Sequence, residues 1–277
     1  MNKFILCMKW GNKYPPSYVN RLYGMVQRNL SIKHRFICFT DNTDGLSQKV
    51  ESMPLPELGV SIPVNVPGKW RKTALWQKNL FGLQGIAVFI DLDSVIVDKI
   101  DDFFTLGKPN DVILTRNWLK PFRNLGQTTL FRFPVGVHSY IHEDFIKEPQ
   151  AIADSHQFEQ HYVTSQIKDS RSPQPLLFWP EKWVRHYRVH CLGNNYLRRY
   201  FQPAKLPPGS RVIAFPGVPN PEESMHGTWN NKQKKHPRIG EHMKNLYPRK
   251  NRTKPSLFAH LKSYHHKCEW IRQHWRE

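Results

Sequence analysis

Five apolar residues, Ile86-Ala87-Val88-Phe89-Ile90, run directly into Asp91-Leu92-Asp93. A continuous apolar run of this kind fits a strand covered on both faces, and ligands of open α/β sheets bind beyond the carboxyl ends of such strands. Two carboxylates at that point are hard oxygen ligands. They suit Mg²⁺ or Mn²⁺, ions that keep part of their water shell and grip a diphosphate. An ion bridging a diphosphate neutralises the charge that builds as the diphosphate leaves. The plainer reading is a strand end followed by solvated acids, as at Asp98, Asp101 and Asp102.

Other candidate groups are weaker. His186 and His190, spaced i and i+4, lack the intervening Glu of a HExxH zinc motif, and a surface or partly buried pair is expected. His265-His266-Lys267-Cys268 reads as tail surface. No Ser/His/Asp arrangement or glycine-rich phosphate loop can be defended.

The elements that must position the aspartates alternate in type, as in an α/β sheet with crossover helices. Residues 3–8 read as a buried strand, broken by Trp10-Gly11-Asn12-Lys13-Tyr14-Pro15-Pro16. Ser17 is placed to cap a helix running to about Leu30, with Tyr18, Leu22, Met25, Val26 and Leu30 along one face. Arg35 to Thr40 reads as a second strand, closed by the turn Asp41-Asn42-Thr43-Asp44-Gly45. The spacing predicts a helix over 70–82, the apolar strand before Asp91, extension over 94–97, a short helix over 100–106 and a strand from Asp111 to Thr115. There are no internal repeats. Prolines over 203–225 mark a long structured loop, and the last helix is expected around 255–275.

The 277 residues carry 41 Lys+Arg against 22 Asp+Glu, a net charge of +19. Aromatic residues at 13% exclude a disordered chain. Charge alone would point to nucleic acid or a membrane surface. However, 13 of the basic and only three of the acidic side chains lie after residue 229, so over half the excess sits in the last 48 residues. This divides the chain into a body, 1–229, and a basic C-terminal extension, 230–277, that packs on or is tethered to the body. No run approaches the roughly 20 apolar residues that span a bilayer. The short apolar start lacks the length and cleavage site of a signal peptide. Four scattered cysteines form no disulfide-like framework. A cytoplasmic protein is expected.

The pattern resembles the metal-dependent GT-A glycosyltransferases, in particular bacterial proteins similar to glycosyltransferase family 8. Asp91-Leu92-Asp93 with Val88-Phe89-Ile90 before it and Ile96 to Phe104 after it carries most of this. Arg71-Lys72-Thr73-Ala74-Leu75-Trp76 looks like the family's lysine-containing helix start, Arg35 to Asp41 like its second strand, and Met8-Lys9-Trp10 with Tyr14 like its nucleotide-binding loop. Glu159-Gln160 stands where an Asp-Gln pair is frequent, and Trp270 to Arg276 resembles a recurring C-terminal signature. The resemblance implies a GT-A-like (Rossmann-like) mixed sheet flanked by helices, and transfer from a UDP-sugar to a glycan or lipid-linked acceptor with retention at the anomeric carbon. Asp91 and Asp93 would hold Mn²⁺ or Mg²⁺. Met8, Lys9, Trp10, Tyr14, Asp41, Lys72 and Asp91 would bind the donor, and Glu159 and Gln127 would face the sugar or acceptor.

Each carry-over has its own physical warrant and its alternative. Lys72 near a helix start would add to the dipole's attraction for phosphate, or be a solvated lysine beside Lys69 and Arg71. Asp41 would accept from a ribose or merely start its turn. Trp10 or Tyr14 would stack on a base or belong to the core. Glu159 would be an acid at the reacting centre or an exposed helix residue.

Two departures stand out. The family's late Phe-His-Gly-x-Pro segment, source of a third metal ligand, reads Phe215-Pro216-Gly217-Val218-Pro219, and proline cannot ligate. Either water or the diphosphate fills that position, or His226 in the nearby Met225-His226-Gly227 substitutes. At 124–136, Gln127 and Thr128 replace the usual residues lining the sugar site. Two rival functions follow: a transferase-like chain without catalysis that binds polyanion or nucleic acid through its basic extension, and a haloacid-dehalogenase-type phosphatase. The phosphatase places its Asp-x-Asp on its opening strand, whereas 85 residues precede Ile86. For the transferase, the basic extension would hold the enzyme near an anionic acceptor or membrane face, and no nucleic-acid partner is expected.

Overall fold

The computed structural model describes residues 1–169, 171–172, 175–193, 195, 197–229, 236–244 and 257–277. In chain order its elements are β1 (Asn2–Lys9), α1 (Pro16–Asn29), β2 (Arg35–Thr40), β3 (Glu51–Pro54), a 3₁₀ turn (Trp70–Trp76), β4 (Gly85–Ile90), β5 (Ser94–Ile96), α2 (Asp102–Thr105), β6 (Ile113–Arg116) and β7 (Gly126–Pro134). Then follow α3 (Tyr140–Lys147), α4 (Pro149–His156), α5 (Glu159–Ile167), β8 (Leu177–Phe178), β9 (Val184–His186), β10 (Val212–Ala214), α6 (Pro221–His226), α7 (Ile239–Lys244), α8 (Leu257–Leu261) and α9 (Glu269–His274). Seven strands form a mixed sheet in the order β3-β2-β1-β4-β7-β6-β8, and β5-β10-β9 form a smaller one. The first four strands of that order run parallel, and β7 is antiparallel to both neighbours.

The apolar runs of β1 and β4 are explained by burial on two faces. Ile5, Cys7, Val88 and Ile90 join the core under α1, while Phe4, Leu6, Ala87 and Phe89 join a second core with Trp70, Trp76, Phe131 and Tyr162. Successive side chains of a strand point to opposite faces, so a strand covered on both sides has no polar beat.

Several expected elements differ. The helix over 70–82 is only the 3₁₀ turn. Trp70, Lys72, Thr73, Ala74, Leu75 and Trp76 are all buried, leaving no solvent face for an amphipathic helix. Gln77 then turns extended, and Phe81 and Gly82 adopt left-handed backbone (φ 52° and 70°). Pro16, not Ser17, opens α1, since its missing N–H needs no partner in the first turn. β7 is not among the elements expected from the sequence. Its Arg132 is wholly buried, with Nη1 and Nη2 each donating, at 2.6 Å, to the carbonyls of Leu106 and Lys108.

The C-terminal stretch also departs from a surface tail. His265 and Cys268 are buried, and Cys268, Ile271 and Trp275 join the α1-side core. Trp275 packs edge-on against Tyr18 beneath the Arg21 guanidinium, and Arg28 donates to the carbonyls of His274 and Arg276. Two short helices, α8 and α9, replace one around 255–275. Residues 230–235 and 245–256, which hold much of the basic excess, lie outside the described residues.

Candidate active site

Asp91 and Asp93 stand where the chain passes from the large sheet to the small one. Asp91 N donates to Thr129 O (2.8 Å), continuing the β4–β7 ladder, and Phe215 N donates to Asp93 O (2.9 Å), opening the β5–β10 pair. Leu92 between them is buried in the core. The backbone is thus held on both sides, with an apolar anchor between the two acids. A cavity at the carboxyl ends of β1 and β4 is lined by both aspartates with Met8, Trp10, Tyr14 and three lysines: Lys13, Lys69 and Lys72.

Each carboxylate has one oxygen engaged. Tyr14 Oη donates to Asp93 Oδ2 (2.6 Å) and itself accepts from Lys13 Nζ (2.6 Å). Lys72 Nζ lies 2.7 Å from Asp91 Oδ1 and donates to Thr128 O (2.9 Å). Burial and the neighbouring Asp91 push the Asp93 carboxyl up to about 6, and burial with the Asp93 charge raises the Tyr14 hydroxyl. Burial and Lys13 push the Lys69 ammonium down. Two crowded carboxylates, each with a second oxygen lacking a hydrogen-bond partner among the described residues, fit a hard divalent ion that completes its shell with water and phosphate oxygens. Three ammonium groups around them fit a polyanionic ligand such as a diphosphate.

Behind this cavity the network continues inward. Thr128 Oγ1 donates to Glu159 Oε2 (2.6 Å), and Glu159 Oε1 has no hydrogen-bond partner among the described residues. Asp91, Lys72, Thr128 and Glu159 therefore form one connected polar chain, from the cavity wall into the interior.

No protein-family profile and no curated protein matches the chain. Solved structures do. The galactosyltransferase LgtC in complex with donor and acceptor sugar analogues aligns with a TM-score of 0.54 at 10% identity, covering 79% of this chain and 88% of that one. An active-site mutant of LgtC aligns at 0.53 and 9%, covering 79% and 89%. The bifunctional glycosyltransferase WbbM, without ligand, aligns at 0.51 and 12%, covering 79% of this chain and 46% of that one. The chain has a GT-A-like fold.

Within this GT-A-like fold, Met8, Trp10, Tyr14, Lys72, Asp91 and Asp93 meet at one cavity. Lys72 is not the solvated or helix-start lysine of the sequence reading, but is buried against Asp91 and over the Phe89 ring. Lys9, opposite Thr40 in the ladder, is buried and does not line the cavity. Asp41 Oδ2 accepts from Gly11 N (2.9 Å) and so fixes the loop carrying Trp10 and Tyr14. Gln127 is half-buried in β7, opposite Thr115. Glu159 opens α5 and is buried, where an ordinary helix residue would be exposed; it lies behind Lys72, outside the lining. His226 is exposed at the end of α6. Among the described residues no three His, Cys, Asp or Glu side chains are grouped to hold a metal ion, so His226 does not complete a triad with the aspartates. His186 and His190 bond locally, His190 Nδ1 accepting from His186 N (3.0 Å).

Lys13 and Lys69 were missed as site residues. The signal available was position: each lies within three residues of a named candidate, on the same loop or turn.

Burial pushes the Glu159 carboxyl up to about 7, only partly offset by Lys72 and the Thr128 hydrogen bond. The native state therefore holds this proton more tightly than the unfolded chain. Its stabilising contribution is complete below about 4.5 and is lost as pH rises through 7. Glu159→Gln removes the titration and can still accept from Thr128. Relative to the unaltered protein, it should gain on the order of 3 kcal/mol between pH 4.5 and 8. Urea denaturation of both proteins across that range measures the difference, and a pH-independent difference would exclude the raised carboxyl.

Proposed function

We propose that this chain is a glycosyltransferase that moves a sugar from a nucleotide sugar, a UDP-sugar, to a glycan or lipid-linked acceptor. The observation that carries this reading is the convergence of Asp91 and Asp93 with Lys13, Lys69 and Lys72 at the carboxyl ends of β1 and β4. Mn²⁺ or Mg²⁺ held by the two aspartates would neutralise charge on the departing diphosphate. Lys13 and Lys69 bind phosphate oxygens, and Trp10 offers its face to the base. Tyr14 and Lys72 each hold one carboxylate oxygen and leave the other turned to the ligand. Glu159 and Gln127 act on the sugar side, with Glu159 exchanging a proton near neutral pH through the Thr128 hydroxyl. Retention at the anomeric carbon belongs to the family 8 resemblance.

Among the described residues no helix is long and apolar enough to cross a membrane. The basic extension after residue 229 would place the enzyme at the cytoplasmic face of an anionic membrane, each lysine or arginine contributing on the order of 1 kcal/mol there. Pro216, in place of the expected ligand, favours the second reading, a polyanion-binding protein without catalysis. A panel of UDP-sugars incubated with Mn²⁺ and no acceptor separates the two. The transferase is expected to release UDP from one donor well above the rest. Release from none, with polyanions still bound, supports the second reading.

A further inference from the structure

A second cavity opens on the same edge of the large sheet. β6 and β8 run parallel to β4, so their carboxyl ends, Arg116 and Phe178, lie on the side that carries Asp91. β4, β7 and β6 are consecutive, so the strand ends that carry Asp91 and Arg116 lie two strand spacings apart, roughly 10 Å. The small sheet closes the other side: Asp93 leads into β5, and β9, at the far edge of that sheet, contributes Val184 and Arg185 to the second cavity. A sugar held on a diphosphate at Asp91 and Asp93 would project into the space between.

The lining has two chemical parts. Trp118 is a fixed platform: its indole N–H donates to Val184 O (3.0 Å), and the His186 ring stands perpendicular to it, with centroids 5.2 Å apart. Trp179 is buried beside it. Indole faces of this kind pack against the C–H face of a pyranose, just as they pack against other flat apolar surfaces. Asn117 Oδ1 is taken by the N–H groups of Leu119 and Lys120, which leaves its amide nitrogen for a hydroxyl.

The second part is cationic. Arg116 is engaged, lying over the Phe178 ring (4.2 Å) and 3.9 Å from Glu181. Arg185 is not. Among the described residues its solvent-shielded Nε has no acceptor and its guanidinium forms no ion pair. A guanidinium at the cavity wall without an ionic partner matches the two oxygens of a planar carboxylate.

We infer that this cavity binds the acceptor through a carboxylated sugar, a uronic-acid residue stacked on Trp118 with its carboxylate on Arg185. The role of this sugar as acceptor rests on the transferase reading; its chemical class rests on this cavity alone.

Tryptophan-fluorescence titration of the full chain with methyl glucuronide and methyl glucoside, in the presence of UDP and Mn²⁺, tests it. The glucuronide is expected to bind at least tenfold more tightly. Arg185→Gln should erase that preference, Arg185→Lys should keep part of it, and Trp118→Ala should weaken both ligands. UDP affinity, which reads the other cavity, serves as the folding control. Equal affinities in the unaltered protein, a preference that survives Arg185→Gln, or tighter binding of glucose 6-phosphate than of glucuronide would overturn the inference. If UDP binds and the preference is absent, only this inference falls. If the preference holds and UDP does not bind, the carboxylated-sugar site stands and the transferase reading falls.

Discussion

Asp93→Asn is expected to abolish the dependence of UDP binding on Mn²⁺ and to lower donor hydrolysis about 1000-fold, the scale of some 4 kcal/mol of lost charge stabilisation. The same change is expected to leave folding intact. Tyr14 can donate to the Asn amide oxygen as it does to Asp93 Oδ2. Burial and Asp91 hold the Asp93 carboxyl at about 6, above its ordinary 3.8. A raised carboxyl contributes stability below its unfolded value and loses it as pH rises through the folded one. Without metal, Asp93→Asn should therefore melt no lower than the unaltered protein at pH 8. At pH 4, where Asp93 is already protonated in the folded chain, any advantage should vanish. A variant that loses activity because it unfolds would show the reverse at pH 8. Calorimetry with UDP and Mn²⁺, with thermal melts at the two pH values, measures both halves.

The second large effect is at Lys72. Its ammonium is almost wholly buried and answers two groups at once, Asp91 Oδ1 and the Thr128 carbonyl. Lys72→Met leaves a partly buried carboxylate and a buried carbonyl without their donor. Breaking a buried pair from one side costs about 3 kcal/mol or more. For a chain of this size that lowers the thermal midpoint by roughly 6–12 °C. Adding Asp91→Asn removes the stranded charge, so the double variant should recover more than half of the loss. A double-mutant cycle from thermal melts gives the coupling. Lys72→Met melting with the unaltered protein would show that the pair carries no structural load. UDP binding should weaken in both variants, because the pair also aims Asp91 at the ligand.

The parts of the fold legible in the sequence were those where burial writes a local pattern. β1, β2 and β4 are covered on both faces and read as apolar runs, and α1 reads through its apolar stripe. β7 did not, because Arg132 interrupts its apolar pattern; the carbonyls that satisfy that arginine lie more than 20 residues away in sequence. β8, β9 and β10, of two or three residues each, are too short to carry a period. The turn at Trp70–Trp76 misled because an all-buried segment has no polar beat by which to tell a helix from a turn.

The same distinction runs through the site. Asp91 and Asp93 were legible because the apolar strand announces its own carboxyl end. Lys72 was named, but its burial was not visible, since its partners Asp91 and Thr128 come from strands later in the chain. Glu159 is buried for a similar reason: Thr128 reaches it from β7. Charge was read best as a distribution. Three lysines of the body surround the two aspartates, while the C-terminal part supplies packing through Trp275 as well as charge.

The cavity at Asp91 and Asp93 is expected to bind a nucleotide diphosphate together with a divalent ion. Isothermal titration of the unaltered full chain with UDP, with and without Mn²⁺, tests it most directly. The expected result is saturable binding of one UDP per chain, at least tenfold tighter with Mn²⁺. No UDP binding under either condition, alongside polyanion binding that falls steeply with salt, would contradict it.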